Sequence, residues 1–158
     1  MLPRHPTFAH SLRLPALLIA ALLGGAVPLP ALADRRPVAT ASGVALGGRD
    51  AVAYFSGAGP VAGSADHALK WHGAVWFFSS GTNLAAFEMN PSAYAPRYGG
   101  YCPVSVIEGD LRPGNPEMFV IRQGRLYLAA SEEARAAILN DPGLIERADA
   151  AWKALRER

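Results

Sequence analysis

Cys102 is the only cysteine in this chain of 158 residues, so no internal disulfide can form. A lone thiol is buried, bound to a metal, paired with another chain, or reactive. Its neighbours form an aromatic and glycine-rich segment, with Tyr98 and Tyr101 on either side of a glycine pair. Two interpretations stay open: a small buried side chain in a tight turn, which is how free cysteine usually behaves, and a thiol that binds a metal or a partner.

Four side chains could together bind a metal. His67 and His72 are five residues apart, on a predicted strand and its turn, and each is also typical of an exposed polar position. Asp50 can cap a turn through backbone N–H groups, or it can come near the thiol together with Tyr54. Thiolate and imidazole suit copper or zinc. The candidate metal ligands are Cys102, His72, Asp50 and His67, and the further candidate site residues are Tyr54, Tyr98 and Tyr101.

Signatures of catalysis are absent from the sequence. It contains no nucleophile elbow, zinc-protease motif, phosphate-binding loop, dinucleotide fingerprint or C-x-x-C pair. A nucleophilic Cys102 would need a nearby base to form thiolate, and no spacing brings His67 or His72 to it. The sequence therefore favours a non-enzymatic protein, with a thiol-dependent enzyme or redox protein as the alternative.

The N-terminal segment has the three parts of a cleavable secretory signal. Arg4 and Arg13 occur without acidic residues, an apolar run covers residues 14–27, and the small-x-small tripeptide ALA ends at Ala33. The run is shorter than the roughly 20 apolar residues of a membrane-spanning helix. We expect cleavage after Ala33, export by the general secretory route because no arginine pair precedes the run, and a periplasmic or secreted protein without a membrane span.

The charge of the chain depends on this segment. Its formal net charge is +2, and Arg4 and Arg13 are the only charged residues before residue 34. Residues 34–158 are therefore neutral overall. A neutral domain gives no electrostatic support for binding nucleic acid.

The first half of the remaining chain is predicted to be a β-hairpin followed by a short helix. Apolar runs within residues 68–79 flank a two-residue turn at His72 and Gly73. The serine pair 79–80 can cap a helix. That helix must end before Pro91, because proline disfavours helical geometry in the residue before it.

The second half is predicted to be another hairpin followed by two helices. The hairpin covers residues 118–129, Ser131 opens one helix, and the Asp-Pro pair at 141–142 starts the last. In that last helix Ile145, Ala148 and Trp152 are predicted to face inward. The sequence therefore predicts a small, single α+β domain at 44–156, after a flexible lead-in at 34–43.

Several segments of this domain form a recognisable series. They are GGRDAVAYF at 47–55, WHGAVWFFSS at 71–80 with an F-x-x-x-P-x-x-Y motif ending at Tyr94, and YAPRYGGYC at 94–102. Their order and spacing resemble the YHS domain, in its exported single-domain subgroup. The first motif of that subgroup usually contains Gly-Tyr-Asp-Pro, so Arg49 and Ala51 depart from it.

The resemblance implies a treble-clef-like hairpin and helix, but not the metal chemistry of the family. YHS domains occur in copper-transporting ATPases and beside some oxygenases, and the metal-binding version uses cysteines at a C-x-x-x-C spacing. Those two positions are Ser79 and Asn83 here, and residues 44–56 contain no third cysteine. A hydroxyl or an amide cannot replace a soft thiolate.

The sequence therefore favours an exported YHS-domain binding or accessory protein, with copper or zinc handling through Cys102 as one form of that function. A metal-handling or membrane protein would then be its partner. The alternatives are a thiol-dependent enzyme or redox protein, and a protein-interaction module without a ligand.

Overall fold

The computed structural model describes residues 38–157. The predicted signal peptide at 1–33 and residues 34–37 of the predicted lead-in lie outside the described residues. Within 38–157 the chain folds as a small α+β domain, which confirms the predicted fold class. None of the helices in this described part is both long enough and apolar enough to cross a membrane.

A four-stranded sheet forms the first half of the domain. Its spatial order is β1-β2-β4-β3, with β2 parallel to β4 and the other pairs antiparallel. The strands are β1 (Thr40–Ala41), β2 (Val44–Ala45), β3 (Ser64–Trp71) and β4 (Ala74–Phe78).

The turn between β3 and β4 lies where the sequence predicts it. His72 and Gly73 have φ angles of 49° and 79°, so both central residues adopt the left-handed conformation of a type I′ turn. This turn matches the twist of the two strands, and it confirms the predicted hairpin.

The N-terminal boundary of the domain is a correction to the prediction. Residues 38–43, expected to be part of a flexible lead-in, include β1, which pairs with β2. The backbone N–H of Ala39 also donates to the carbonyl of Gly99 at 2.9 Å. Pairing with a neighbouring strand orders a segment whose own composition carries no strand signal.

A two-stranded sheet and two helices form the second half. Strands β5 (Phe119–Arg122) and β6 (Arg125–Leu128) make the second predicted hairpin. Helices α4 (Glu132–Asn140) and α5 (Leu144–Arg156) follow it. The hydroxyl of Ser131 accepts from the N–H of Ala134 at 3.2 Å, which confirms the predicted N-cap of α4.

Three further helices connect the two halves. They are α1 (Gly81–Met89), α2 (Pro91–Tyr94) and α3 (Pro103–Glu108). Helix α1 is capped by Ser80, whose hydroxyl accepts from the N–H of Asn83, and it ends before Pro91 as predicted. Helix α3 was not predicted, because six residues are too few for a helical pattern to be visible.

The buried side chains form two hydrophobic clusters. We call the first the sheet core, which includes Trp76, Phe78 and Phe87, and the second the helical core, which includes Tyr98, Ile138 and Trp152. Inward-facing Ala148 and Trp152 confirm the predicted inner face of α5. Leu126 and Leu128 of β6 belong to the sheet core, so the second hairpin packs against the first half of the domain.

Candidate functional site

The carboxylate of Asp50 is the most extensively hydrogen-bonded side chain of the domain, and it is fully buried. Its Oδ1 accepts from the backbone N–H groups of Val52 at 2.8 Å and Ala53 at 3.2 Å. Its Oδ2 accepts from the backbone N–H of Ser79 at 2.8 Å, the Ser79 hydroxyl at 2.6 Å and the Asn83 amide at 2.7 Å. Five donors therefore surround one carboxylate, and we call this group the Asp50 hub.

Three separate elements bring the hub together. Asp50 follows the short 3-10 turn Leu46–Gly48, Ser79 directly follows β4, and Asn83 lies in the first turn of α1. The backbone N–H of Asp50 itself donates to the carbonyl of Val61 at 2.9 Å, which holds the residue in place. The hub thus joins the loop between β2 and β3 to the hairpin and its helix. The predicted turn-capping role of Asp50 is confirmed.

The hub keeps the Asp50 carboxylate ionised. Burial on its own would raise the pKa, because it removes water from the charge. The hydrogen bonds from Asn83 and Ser79, and then from backbone N–H groups, outweigh burial, so the pKa of Asp50 lies below its usual range. A buried charge of this kind is tolerated only where donors replace its water.

Ser79 and Asn83 are also the positions at which the resemblance places the paired cysteines of the metal-binding version. In this chain both side chains donate to Asp50 instead. The hub contains no thiolate and no imidazole, and both carboxylate oxygens already have donors. The residues present therefore do not fit the copper or zinc site that the family resemblance implies.

Cys102 lies in a different part of the fold, at the start of α3. It is 1% exposed. Its backbone N–H donates to the carbonyl of Arg112 at 3.0 Å, and its carbonyl accepts from the Ser105 hydroxyl at 2.8 Å. It lines a cavity of about 270 Å³ with side chains of α3 and α4, including Val104 and Ala134. Of the two interpretations of Cys102, this position agrees with the first, a small buried side chain in a tight turn.

The two histidines lie on the β3–β4 hairpin. The ring of His67 is beside the first residue of α1, Gly81. His72 occupies the hairpin turn, with its ring centroid 3.9 Å from that of Trp71. Neither histidine lines the cavity beside Cys102.

The four predicted metal ligands therefore do not form one centre. Within residues 38–157 no group of three or more histidine, cysteine, aspartate or glutamate side chains is arranged to hold a metal ion. The physical reason is topological: Asp50 is bound by the sheet half, while Cys102 is buried between α3 and α4. The geometry therefore contradicts the prediction that Cys102, His72, Asp50 and His67 together bind one metal ion.

The three predicted tyrosines are also dispersed. Tyr54 donates its hydroxyl to the carbonyl of Pro116 at 3.0 Å, and burial together with the charge of Glu117 raises its pKa well above the usual range. Tyr101 is half-buried, with its ring 6.3 Å from that of Trp152. Of the three, only Tyr98 lies at the cleft described next.

A cleft of about 300 Å³ opens where the two hydrophobic clusters meet. Its sheet-core side is lined by Trp71 and Trp76, whose ring centroids are 5.5 Å apart. Its helical-core side is lined by Tyr98 and Trp152, with centroids 5.9 Å apart. All three tryptophans of the chain line this one cleft, which we call the tryptophan cleft.

Charged side chains surround these rings. Asp149 Oδ1 accepts from Arg97 at 3.1 Å and from the Tyr98 hydroxyl at 3.0 Å. Burial, together with the Asp149 charge, raises the pKa of Tyr98 well above its usual range, so the hydroxyl stays a donor. Lys153 and Arg156 line the same cleft from the last turns of α5.

Most residues of this cleft were not predicted to be functional. Trp152 was predicted only as an inward-facing core residue, and Arg97, Lys153 and Arg156 were not singled out. The available signal was the spacing of Asp149, Trp152, Lys153 and Arg156, which places all four on one face of a helix. The sequence does not show that this face of α5 and the hairpin turn at His72 line the same cleft.

Comparisons with family models, with curated proteins and with solved structures found no match to this chain. The resemblance to the YHS domain therefore depends on the motifs of the sequence alone, and it stays a prediction.

Proposed function

We propose that this protein is an exported, non-enzymatic binding module of the YHS type whose ligand site is the tryptophan cleft instead of a metal centre. The observation that carries the proposal is the cleft itself. It combines aromatic rings from both hydrophobic clusters with a few convergent polar groups, which is the usual make-up of a small-molecule site.

The Asp50 hub supports a binding function without metal. It joins the same elements that a metal would join in the cysteine-containing version, and it does so with hydrogen bonds. The Asp50 carboxylate is buried and saturated with donors, so the role of the hub in this proposal is to stabilise the scaffold that presents the cleft. Export remains a prediction from the N-terminal sequence. A metal-handling or membrane protein partner remains a prediction that belongs to the metal-handling form of the function.

The proposal can be tested by blocking the cleft. Ser92 lines it from α2 and is exposed, so Ser92→Phe fills the cleft without changing a buried side chain. Ala93 is the exposed neighbour that does not line the cleft, and Ala93→Phe is the matched control. We expect that some members of a panel of neutral, anionic and cationic aromatic compounds raise the melting temperature by about 2 °C or more.

The effect should occur in the wild type and in Ala93→Phe but not in Ser92→Phe. A panel in which no compound discriminates between the two variants would contradict the cleft as the binding site. Metal titration of the same protein provides the second arm. Copper or zinc bound at about micromolar affinity or tighter would contradict the metal-independent form of the proposal and favour the metal-handling alternative.

A further inference from the structure

We infer that the tryptophan cleft selects a small planar organic anion, such as an aromatic carboxylate. This inference rests on the proposed binding function and adds the chemical class of the ligand.

The charges at the cleft favour an anion. Its lining includes three permanent cations, Arg97, Lys153 and Arg156, and one carboxylate, Asp149. Asp149 already accepts hydrogen bonds from Arg97 and Tyr98 through one oxygen. The remaining charge at the cleft is therefore positive, although residues 34–158 are neutral overall.

The two cations on α5 have weak or no partners. Lys153 lies 3.9 Å from the exposed carboxylate of Glu157, at the limit of an ion pair. Arg156 has no ion-pair partner among residues 38–157. Exposed pairs of this kind contribute little, so both groups can turn toward a ligand at small cost.

The helix dipole does not reverse this preference. The C-terminal end of a helix carries a partial negative charge equivalent to about half an elementary charge. Lys153 and Arg156 place two full positive charges in the last turns of α5 and so outweigh it. An anion at this end of the cleft therefore meets a net positive field.

Arg97 adds a further donor at the inner side of the cleft. Its terminal NH2 group binds Asp149, while its buried Nε has no hydrogen-bond partner in the described part of the chain. An unsatisfied buried donor costs free energy, and a small rotation of the guanidinium toward a bound carboxylate would satisfy it. The fork of donors on an arginine matches a carboxylate better than it matches a neutral group.

The lining of the cleft favours a flat ligand. A volume of about 300 Å³ lies at the lower end of the range for small-molecule pockets. The half-buried Trp71 and the largely buried Trp152 both line the cleft, and an aromatic ring pairs well with another planar ring. A quaternary ammonium is the other ligand that aromatic rings bind well, but here it would meet three cations.

Three ligands with one ring system and different charges test this inference: 2-naphthoate, 2-naphthamide and 2-naphthylmethylammonium. Binding is measured by calorimetry on the protein purified after expression of the full chain. We expect 2-naphthoate to bind at least about tenfold more tightly than the amide or the ammonium compound, and the difference to shrink with added salt. Equal affinities for the three would overturn the inference.

Variants then assign the charge preference to named residues. In the double variant Lys153→Gln with Arg156→Gln, 2-naphthoate should bind about tenfold more weakly while the amide is unaffected. Arg125→Gln removes one exposed charge outside the cleft and is the control. A double variant that binds 2-naphthoate as tightly as the wild type would also overturn the inference.

The two proposals fail in different ways. If neutral or cationic compounds bind best and Ser92→Phe blocks them, the cleft is a binding site and the anion inference is wrong. If 2-naphthoate binds equally well in Ser92→Phe, the anion binds elsewhere, and both the cleft and the inference are contradicted.

Discussion

The side-chain amide nitrogen of Asn83 lies 2.7 Å from Oδ2 of Asp50, 33 residues earlier in the chain. This hydrogen bond ties the first turn of α1 to the loop between β2 and β3. It occurs at a position where the predicted resemblance to the YHS domain implies a cysteine. A charge-assisted hydrogen bond here links two elements that lie far apart in the sequence.

Replacing Asp50 should strongly destabilise the domain. Asp50→Asn places an NH2 group opposite donors that now share a carboxylate, so at least one buried donor loses its acceptor. We expect the free energy of unfolding to fall by about 2–4 kcal/mol, measured by urea denaturation. Glu88→Gln, the same chemical change at an exposed position of α1, should cost less than about 0.5 kcal/mol. Equal effects of the two substitutions would contradict the hub.

Acid should remove the contribution of the hub. The pKa of Asp50 in the folded protein lies below its ordinary value of 3.8, so the folded state binds this proton less readily than the unfolded state. The stabilisation is therefore present above about pH 4 and is lost as the pH falls through the folded pKa. We expect the difference in urea midpoint between wild type and Asp50→Asn to be constant from pH 7 to 5 and to shrink below pH 4. A difference that stays unchanged from pH 5 down to pH 2 would show that the charge of Asp50 is not what the donors stabilise.

Asn83→Asp should reverse the sign of the pH dependence. Two carboxylates would then share the space that one amide–carboxylate pair now fills, and the pKa of one of them must rise. The folded variant would bind an extra proton, so its stability should increase as the pH falls from 7 to 5. Asn83→Ala loses the hydrogen bond without adding charge and should show no such increase. Parallel pH profiles for the two variants, measured by urea denaturation, would argue against a close Asp50–Asn83 contact.

The thiol of Cys102 should be protected in the folded protein. With 1% of the residue exposed, modification requires local or global unfolding. We expect the native protein to react with a thiol reagent at least about 100-fold more slowly than the unfolded chain. Met89 is 86% exposed, so Met89→Cys in a Cys102→Ser background is the reactive control. Rapid labelling of native Cys102 would restore the thiol-dependent alternative.

Local sequence patterns predicted most of the elements. Each of these features depends on residues that lie within a few positions of each other in the chain. Examples are the turn at His72 and Gly73, the cap at Ser131 and the end of α1 before Pro91. Such features depend on backbone preferences that operate over a few residues. They also identified Asp50 as a turn-capping carboxylate, since Val52 and Ala53 lie directly after it.

The site itself was decided by tertiary structure. Cys102 and His72 were both candidate ligands of one metal, yet the packing of α3 against α4 buries the thiol while the hairpin carries the histidine to the tryptophan cleft. In the same way, Trp71 and Trp152 lie far apart in the chain and line one cleft. Contacts of this kind depend on how two hydrophobic clusters pack against each other.

The sequence by itself thus determined the α+β elements, their caps and turns, and a single thiol without a disulfide partner, because these depend on short-range preferences and composition. Only the tertiary structure decided that Asp50 has Ser79 and Asn83 as its donors, and that the cations of α5 surround a cleft lined by all three tryptophans. The physical reason is that a side chain's partners are set by the packing of distant elements, which no local pattern specifies.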